Sequence, residues 1–527
     1  MSSTLMTKVE EGEFWWGGAV HDGAKMPLSA HSVYAIDLRR EGRGNQSAPF
    51  FVSSHGRTVW SEEPFAISFD HGILRAEGST PILLEQHGAT LREGYLGGMK
   101  AHFPFDGRCP ERAFYVTPQF NTWVELRYDH NRQAVLDYAH SLLSNGYAPG
   151  VLMIDDTWQE DYGVWRFHPG RFPDPAGMVK ELHEMGFAVM VWAVPVVSPD
   201  SAPFRKALNT PGALIRGRDG KPVLIEWWNG YSAAIDFTNE AGRAWMREQL
   251  SALQKDYGVD GFKFDGGGAQ FYLSAQEASG RSAADFTAAW FDFAAQYAYN
   301  EVKDTWKAGG KPLNQRLRDK THAWDGEGLS CILPDAFNAA LTGHPFLCPD
   351  MVGGGEWTNF EPGHVIDQEL IVRCAQVSAL FPMMQFSVAP WRVLSPENGA
   401  RVLRAAKLHQ AMGEKLWQWV QQSARTGEPI LAPMAYAFPG CGMEEIADQF
   451  VLPDGTIVAP VLQKGALQRT VRLPEGNWQD ETGARFAGGE VTVPVDPDRL
   501  PRFFRIGETK RKERALQETD FSQRYSF

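Results

Sequence analysis

Short runs in which hydrophobic and polar residues alternate, separated by glycine and polar turns, fill residues 1–115. The segments HSVYAIDLR (31–39), PFFVSSHG (49–56) and FAISFDHGILRAEG (65–78) are representative. Alternation places the apolar side chains on one face of a strand, which is the pattern of a half-buried sheet. Residues 1–115 are therefore predicted to form an antiparallel β-sandwich.

Residues 116–425 instead show strands that alternate with helices. Strands are predicted at VLMIDD (151–156), AVMVWAVPV (188–196) and GFKFD (261–265). Amphipathic helices are predicted at RQAVLDYAHSLLSNGY (132–147), MVKELHEMGF (178–187) and EAGRAWMREQLSALQKDYG (240–258), the last after the capping residues Thr238 and Asn239. This alternation predicts an α/β fold, most simply a (β/α)₈ TIM barrel with insertions.

After residue 426 the pattern returns to hairpins. The segments DQFVLPDGTIVAPVL (448–462) and GGEVTVPVD (488–496) are strand-like, and the first contains a Pro-Asp-Gly turn. Residues 426–527 are predicted to form a C-terminal β domain. Its charged tail, KRKERALQETDFSQRYSF (510–527), is expected to be frayed or to pack onto the domain late in folding.

Carboxylates follow several of the predicted barrel strands. Asp265 ends the GFKFD strand, where it shares a face with Lys263. Asp155 and Asp156 end VLMIDD, and Asp350 follows the apolar run in GHPFLCPDMVGGG (343–355). A Lys–Asp pair on an apolar strand is either a structural ion pair or part of a polar cavity. Three predicted strand ends carry carboxylates. This favours a polar cavity, because barrel enzymes have their active sites at the carboxyl ends of their strands.

Composition narrows the class of protein. The formal charge of -13 over 527 residues argues against nucleic-acid and anionic-membrane partners, and no apolar run is long enough for a membrane span. Five scattered cysteines without metal spacing, and an N-terminus that does not resemble a signal peptide, predict a cytoplasmic protein. The 18 tryptophans favour a carbohydrate substrate, since indole rings pack against the C–H faces of sugars.

The residue types argue against a metal site and a Schiff base and favour catalysis by carboxylates. None of the 14 histidines lies at an HxH or HExxH spacing, so neither a metal nor a cofactor is expected. Lys263 is a poor candidate for a Schiff base, because a nearby carboxylate keeps its ammonium charged. Two carboxylates acting as nucleophile and proton donor are typical of glycoside hydrolysis. Asp265 is the predicted nucleophile, and spacing alone leaves its partner open between Asp319 and Asp325.

Six stretches carry a family resemblance: LMIDDTW, EWWNGYSAAIDFT, FKFDGG, RLRDKTHAW, GHPFLCPDMVGG and MMQFSVAPWR. From about residue 116 to about residue 500 the chain resembles family 31 glycoside hydrolases, and most of all the subgroup that contains the myogenesis-regulating glycosidase. The resemblance implies a retaining α-glycosidase with Asp265 as nucleophile. It implies Asp319 as acid/base, because the family's aspartate lies five residues before a tryptophan, here Trp324. Retention predicts carboxyl groups about 5–6 Å apart.

The sugar is predicted from shorter motifs. The sequences DDTW and KFD resemble motifs of separate α-galactosidase families, in which two aspartates and a lysine bind galactose hydroxyls around carbons 3, 4 and 6. Asp155, Asp156 and Lys263 occupy those positions here. The family 31 α-glucosidases carry an Arg-Asn-His-like stretch where this chain has Gln385, Phe386 and Ser387, so a contact expected for glucose is absent.

The remaining predicted site residues are one arginine, one aspartate and tryptophans at or just past strand ends. They are Arg316, Asp350, Trp123, Trp192 and Trp227, with Trp228 beside the last. Together these features predict an exo-acting α-galactosidase whose substrate is an oligosaccharide or α-glycoside. An α-glucosidase, a sucrose-cleaving enzyme or a transglycosylase is the alternative on the same scaffold, and an inactive carbohydrate-binding protein is the third. A homo-oligomer is compatible with the sequence.

Overall fold

The fold is a barrel of parallel strands flanked by antiparallel sheets, as the sequence predicts. The computed structural model describes residues 3–40 and 43–507. The predicted charged tail at 510–527 therefore lies outside the described residues.

Antiparallel sheets pack face to face near the N-terminus. One contains, in spatial order, Ser3–Lys8, Ile73–Gly78, Phe65–Asp70 and Tyr34–Asp37. The facing sheet contains Ile82–Gln86, Arg57–Ser61 and Gln46–Ser53, with Trp15–Ala19 also paired to the last of these. Inward side chains meet between the sheets, where the ring of Phe51 lies 6.4 Å from Phe65 and 6.3 Å from Phe69.

A helix, Leu91–His102, lies inside the segment that the sequence predicted as β-sandwich. Its buried residues Leu91, Tyr95 and Met99 are spaced four apart, so they form one apolar stripe. Thr90 caps its N-terminus by accepting a hydrogen bond from the backbone of Glu93. The sequence prediction missed this helix because the segments on both sides alternate with the two-residue period of strands.

Within the described residues, eight parallel strands form the barrel. In chain order they are β1 (Gln119–Asn121), β2 (Val151–Ile154), β3 (Ala188–Ala193), β4 (Gly261–Phe264), β5 (Asn300–Val302), β6 (Gln315–Arg316), β7 (Leu347–Cys348) and β8 (Gln385–Phe386). Each pairs with its sequence neighbour from β1 to β7, and β8 pairs with β1. A parallel bridge between Met351 and Gln385 nearly closes the ring.

Helices pack around the barrel. The longer ones are Arg132–Ser144, Pro175–Glu184, Glu240–Ala252, Ala283–Ala294, Ile332–Ala340, Gln368–Ser378 and Pro396–Thr426. The last begins with a Ser395 cap and a proline, and it ends at Gly427, whose φ of +77° is the left-handed conformation that glycine adopts readily. Across the described ranges no helix is long and apolar enough to cross a membrane.

Shorter elements occupy the loops between these. The short helices are Val20–Lys25, Ala113–Val116, Trp123–Leu126, Ala202–Leu208, Leu253–Tyr257, Ala269–Tyr272, Leu273–Ser279, Leu329–Cys331, Trp357–Phe360, Pro390–Val393 and Met434–Ala437. Small sheets lie in the loops after β2 and β3, formed by Gln159–Asp161 with Val164–Phe167, and by Val196–Val197, Gly230–Ala234 and Leu224–Trp227. The C-terminal sheet contains Ala432–Pro433, Phe450–Val451, Ile457–Val458, Arg502–Arg505, Gln468–Asp480 and Arg485–Pro494.

The barrel departs from a regular eightfold repeat between β5 and β6. Residues 303–314, all described, contain no helix. Instead Thr305–Trp306 pairs in parallel with the N-terminal strand Gln46–Ser53. Nε2 of Gln46 donates to the carbonyl oxygens of Lys303 at 2.8 Å and Arg316 at 3.2 Å. The N-terminal sheet therefore occupies the place where a fifth barrel helix would pack.

Asn338 joins the same sheet to the helix Ile332–Ala340. Its Oδ1 accepts from the backbone N–H of Gly17 at 2.8 Å. Its Nδ2 donates to the carbonyl oxygens of Gly17 and Ala19 at 3.2 and 2.9 Å. Because Asn338 is fully buried, these backbone groups have no water to replace it.

We predict that Asn338→Ala lowers the apparent free energy of unfolding by about 2–4 kcal/mol, because it leaves buried backbone groups unpaired. Urea titration followed by tryptophan fluorescence measures the change. The matched control is Asn145→Ala, which removes an exposed side-chain hydrogen bond at a helix end and should cost less than about 1 kcal/mol. Equal effects of the two substitutions would contradict the role given to Asn338.

Candidate active site

A cavity of about 300 Å³ lies at the carboxyl ends of the barrel strands. The side chains around it come from β1 to β7 and the loops that follow them. They are Trp123, Tyr128, Asp155, Asp156, Trp192, Trp228, Lys263, Asp265, Lys303, Arg316, Asp319, Glu356 and Trp357. Carboxylates, basic groups and aromatic rings therefore meet in one space at the end of the barrel where active sites lie.

Asp265 lies directly after β4 and is 7 % exposed. Its Oδ2 accepts from Nε1 of Trp192 at 2.9 Å, and its Oδ1 accepts from the backbone of Gly266 at 2.9 Å. Burial by itself would raise the pKa of this carboxyl. The positive charges of Lys303 and Lys263 outweigh that effect and lower the pKa to about 2. Asp265 is therefore ionised at neutral pH.

Phe262 and Phe264 point away from this cavity, as the alternation of β4 predicts. Phe264 packs against Trp290, with ring centroids 5.2 Å apart, and both phenylalanines contact Tyr297. Lys263 faces the cavity with Asp265, but its hydrogen bond goes to a different carboxylate. It pairs with Asp155, 2.7 Å apart across two strand ends, so Lys263 and Asp265 line the cavity instead of forming a structural ion pair with each other.

Asp319 follows β6 and is partly exposed to the cavity. Nζ of Lys303 lies 3.0 Å from its Oδ2, and a guanidinium nitrogen of Arg316 lies 2.7 Å from its Oδ1. Burial would raise the pKa of Asp319, but these two cations lower it well below its usual range. Gly355 makes room for the carboxylate, since a Cβ at that position would lie 2.6 Å from Oδ1.

Lys303 contacts both carboxylates. Its ammonium lies 3.9 Å from Oδ1 of Asp265 as well as 3.0 Å from Oδ2 of Asp319. These two oxygens are therefore no more than about 7 Å apart. That upper limit includes the separation of about 5–5.5 Å found in retaining glycosidases.

Asp325, the alternative partner for Asp265, lies outside the cavity. It is exposed, and its carbonyl oxygen accepts from the backbone of Gly328 in a turn. The geometry thus selects Asp319 over Asp325 as the carboxylate that faces Asp265.

Asp350, one of the predicted site residues, lies behind the cavity rather than in its wall. Its Oδ1 accepts from Arg316 at 2.7 Å, and its Oδ2 accepts from the backbone of Lys320 and Gly355 at 2.7 and 2.9 Å. Its φ of +143° is rare for a side-chain-bearing residue, so these hydrogen bonds hold a strained backbone. Asp350 positions Arg316, which does line the cavity.

Asp155 and Asp156 follow β2 and are both 2 % exposed. Oδ2 of Asp155 accepts from Lys263 and from Asn121, at 2.7 and 2.8 Å. Burial raises the pKa of Asp156 to about 6, although donors on Gln159 and Tyr162 oppose the shift. The structure brings Asp155, Asp156 and Lys263 together beside Asp265.

Aromatic rings form part of the cavity wall. Trp123 contacts Tyr128 edge to face at 5.6 Å, and Tyr128 contacts Trp357 at 6.2 Å. Trp192 and Trp228 also line the cavity. Such rings offer faces and edges for the C–H groups of a sugar.

The prediction that Trp227 lines the cavity is wrong. Its indole is 7 % exposed, its Nε1 donates to Oγ of Ser232 at 3.0 Å, and its ring packs against Tyr162 at 4.8 Å. The strand Leu224–Trp227, which forms a hairpin with Gly230–Ala234, turns this side chain into the core and leaves Trp228, the next residue, at the cavity.

Sequence reasoning missed four residues of the cavity: Lys303, Tyr128, Glu356 and Trp357. The signal for Lys303 was a Lys-Asp pair directly after NEV (300–302), but that run is too short to be recognised as a strand. Tyr128, Glu356 and Trp357 lie in loops that carry no periodic pattern. Across the described ranges, His, Cys, Asp and Glu residues form no group of three suited to a metal ion.

The chain is similar in sequence to known glycosidases. The mouse (Mus musculus) myogenesis-regulating glycosidase is 29 % identical over 423 residues, covering 77 % of this chain and 58 % of the relative. The Escherichia coli K12 sulfoquinovosidase is 27 % identical over 65 % of this chain and 53 % of its own length. The chain thus spans about half the length of the curated relatives it matches.

Solved structures share the fold. A family 31 dextranase from Flavobacterium johnsoniae, complexed with glucose, superimposes with a TM-score of 0.82 and 18 % identity, covering 96 % of this chain and 67 % of that one. A cycloalternan-degrading enzyme from Trueperella pyogenes, in complex with a covalent intermediate, gives 0.79 and 20 %, covering 96 % and 78 %.

Family models match most of the barrel and the C-terminal sheet. Residues 119–398 match the glycosyl hydrolases family 31 TIM-barrel domain, and residues 427–509 match the family 31 C-terminal domain. The first match alone covers more than half of the chain. The chain belongs to glycoside hydrolase family 31.

Proposed function

We propose that the protein is a retaining, exo-acting α-glycoside hydrolase and that its substrates are α-galactosides. The observation that carries the proposal is the pair Asp265 and Asp319, which face one cavity and share the ammonium of Lys303. Retaining enzymes hold their two carboxyl groups about 5–5.5 Å apart for double displacement, which lies within the upper limit of about 7 Å set by Lys303.

In the first step Asp265 attacks the anomeric carbon and the bond to the leaving oxygen breaks. The leaving oxygen takes a proton from Asp319, which must therefore bind a proton before this step. In the second step Asp319 takes a proton from water as the water attacks the anomeric carbon, and Asp265 departs as a carboxylate. The low pKa of Asp265 suits the nucleophile and leaving group.

The preference for galactose rests on Asp155, Asp156 and Lys263. We infer that their charged groups hydrogen-bond the hydroxyls at carbons 3, 4 and 6, so that a sugar with a different hydroxyl at carbon 4 leaves buried groups unpaired. Gln385 and Ser387 make structural contacts instead of lining the cavity. Gln385 donates to Glu301 at 2.6 Å, and Ser387 accepts from the backbone of Val124 at 2.7 Å.

An α-glucosidase or transglycosylase is the second candidate. It is favoured by relatives named as an alpha-glucosidase and an isomaltosyltransferase, and by fold neighbours solved with isomaltose. A catalytically inactive binding protein fits less well, because such a protein has no use for an ionised nucleophile beside a second carboxylate.

Asp319→Ala should lower kcat on substrates with poor leaving groups by about 100- to 10,000-fold, because the proton donor is lost. With an activated aryl α-galactoside the intermediate should still form but hydrolyse slowly. Added azide should then restore turnover, since it needs no general base. Asp325→Ala, the matched control, should keep the wild-type rate, and equal effects of both substitutions would overturn the choice of Asp319.

The wild-type kcat/KM should be higher on p-nitrophenyl α-galactoside than on the α-glucoside or α-xyloside. Asp156→Ala should lower the galactoside value by about 10- to 150-fold, the equivalent of one charge-assisted hydrogen bond, and should affect the glucoside less. A wild-type preference for the glucoside, or an equal loss on both sugars, would contradict the galactosidase proposal.

Trp192→Phe should lower kcat by at least about tenfold, because it removes a hydrogen bond to the carboxylate of Asp265 while keeping an aromatic wall. Trp227→Phe makes the same chemical change at an indole outside the cavity, so kcat should stay within about twofold of wild type. The measurement is kcat of both variants from steady-state kinetics. A larger loss from Trp227→Phe would contradict the placement of the two rings.

A further inference from the structure

Lys303 occupies an unusual position between two buried carboxylates. It follows β5 directly, and its side chain is 17 % exposed. Its ammonium lies 3.0 Å from Asp319 and 3.9 Å from Asp265, so it is within reach of both charges at once.

The backbone at Lys303 is fixed from outside the barrel. The fully buried side chain of Gln46 donates to its carbonyl oxygen, and the same amide donates to the carbonyl oxygen of Arg316. Asn45, next to it, accepts from the backbone of Arg318 at 3.0 Å. The N-terminal sheet thus holds the ends of β5 and β6 and limits how far the ammonium can move.

Other charged groups surround this ammonium. Those that interact with it or with its two carboxylate partners lie on β4, directly after β5, on β6 and after β7. They are Lys263, Asp304, Arg316, Asp350 and Glu356. Arg316 already pairs with Asp319 and Asp350, and Lys263 pairs with Asp155. Lys303 is therefore the cation that links Asp265 to Asp319.

We propose that Lys303 is a positioning residue whose ammonium holds the nucleophile and the proton-transfer carboxylate around one shared charge. The proposal rests on the proposed function. When Asp265 becomes an ester it loses its charge, and the ammonium then acts on Asp319 alone. Asp319 is thereby kept as the carboxylate that removes a proton from water in the second step.

The first test is the pH dependence of kcat/KM. Lys303→Met removes a cation that lowers the pKa of both carboxyls, so both should lose their protons at higher pH. The acid limb, set by ionisation of Asp265, and the alkaline limb, set by deprotonation of Asp319, should each move upward by at least about one pH unit. Lys303→Arg should largely restore the wild-type profile.

Lys307→Met is the matched control. Lys307 lies four residues further along, pairs with Glu62 and does not line the cavity. Its profile should match wild type within about 0.3 pH unit. A Lys303→Met profile with both limbs unmoved, or an equal shift from Lys307→Met, would overturn the proposal.

The second test needs no turnover, so it separates this proposal from the proposed function. Carboxyls with a lowered pKa in the folded state stabilise the protein above their unfolded pKa of about 3.9, and this contribution is lost as pH falls toward their folded pKa. The Tm of Lys303→Met should thus lie below wild type at pH 7, and the gap should narrow as pH falls from about 4 toward 2. The Tm difference of Lys307→Met should not depend on pH.

A Tm gap for Lys303→Met that stays constant as pH falls from 7 to about 2.5 would indicate a packing role and contradict the proposal. A variant that is unfolded at pH 7 should regain its fold below about pH 4, where its two carboxyls are protonated, and failure to do so would contradict the proposal equally. If the wild type lacks α-galactosidase activity while the Tm gap narrows as expected, the positioning role stands and the proposed function fails.

Discussion

Three carboxylates of the cavity, Asp155, Asp265 and Asp319, depend on cations, because a carboxylate removed from water without a partner is strongly unfavourable. Lys263 pairs with Asp155, Lys303 bridges Asp265 and Asp319, and Arg316 pairs with Asp319 and Asp350. Removing one partner of such a buried pair typically costs about 3–5 kcal/mol. The cavity is therefore a network of charges in which no member can change without affecting its neighbours.

The barrel brings the charged residues of this network close together. Parallel strands bring their carboxyl ends to one edge, so residues far apart in sequence become neighbours, as Asp155 and Lys263 do. The register places Trp192, Lys263 and Glu301 side by side on β3, β4 and β5. At the gap between β5 and β6 the N-terminal sheet completes the support through Gln46. The flanking sheet is thus part of the scaffold of the site.

Much of the site follows from the sequence, because it depends on local rules. Asp265, Asp155 and Asp156 were found because each ends an apolar strand, and alternation along β4 placed Lys263 on the same face as Asp265. Asp319 needed the family resemblance, since spacing alone did not separate it from Asp325. The side on which Trp227 lies depends on the register of a hairpin, which adjacent residues do not reveal.

Other features depend on contacts between distant segments. Lys303 follows a strand of three residues, and its position depends on Gln46, which lies 257 residues away in the chain. The missing helix between β5 and β6 is explained by the sheet that replaces it. The helix Leu91–His102 lies between runs of strand-like alternation, so the sequence pattern did not predict it. Tertiary packing, rather than local preference, decides these three features.

The proposed mechanism requires a covalent bond between Asp265 and the sugar. Its most direct measurement uses a fluorinated α-galactosyl fluoride that forms the intermediate quickly and releases it slowly, followed by proteolysis and mass spectrometry. We expect one galactosyl ester, located on Asp265 within GVDGFKFDGGGAQFY (258–272). An ester on Asp319, Asp156 or Glu356, with Asp265 unmodified, would contradict this mechanism.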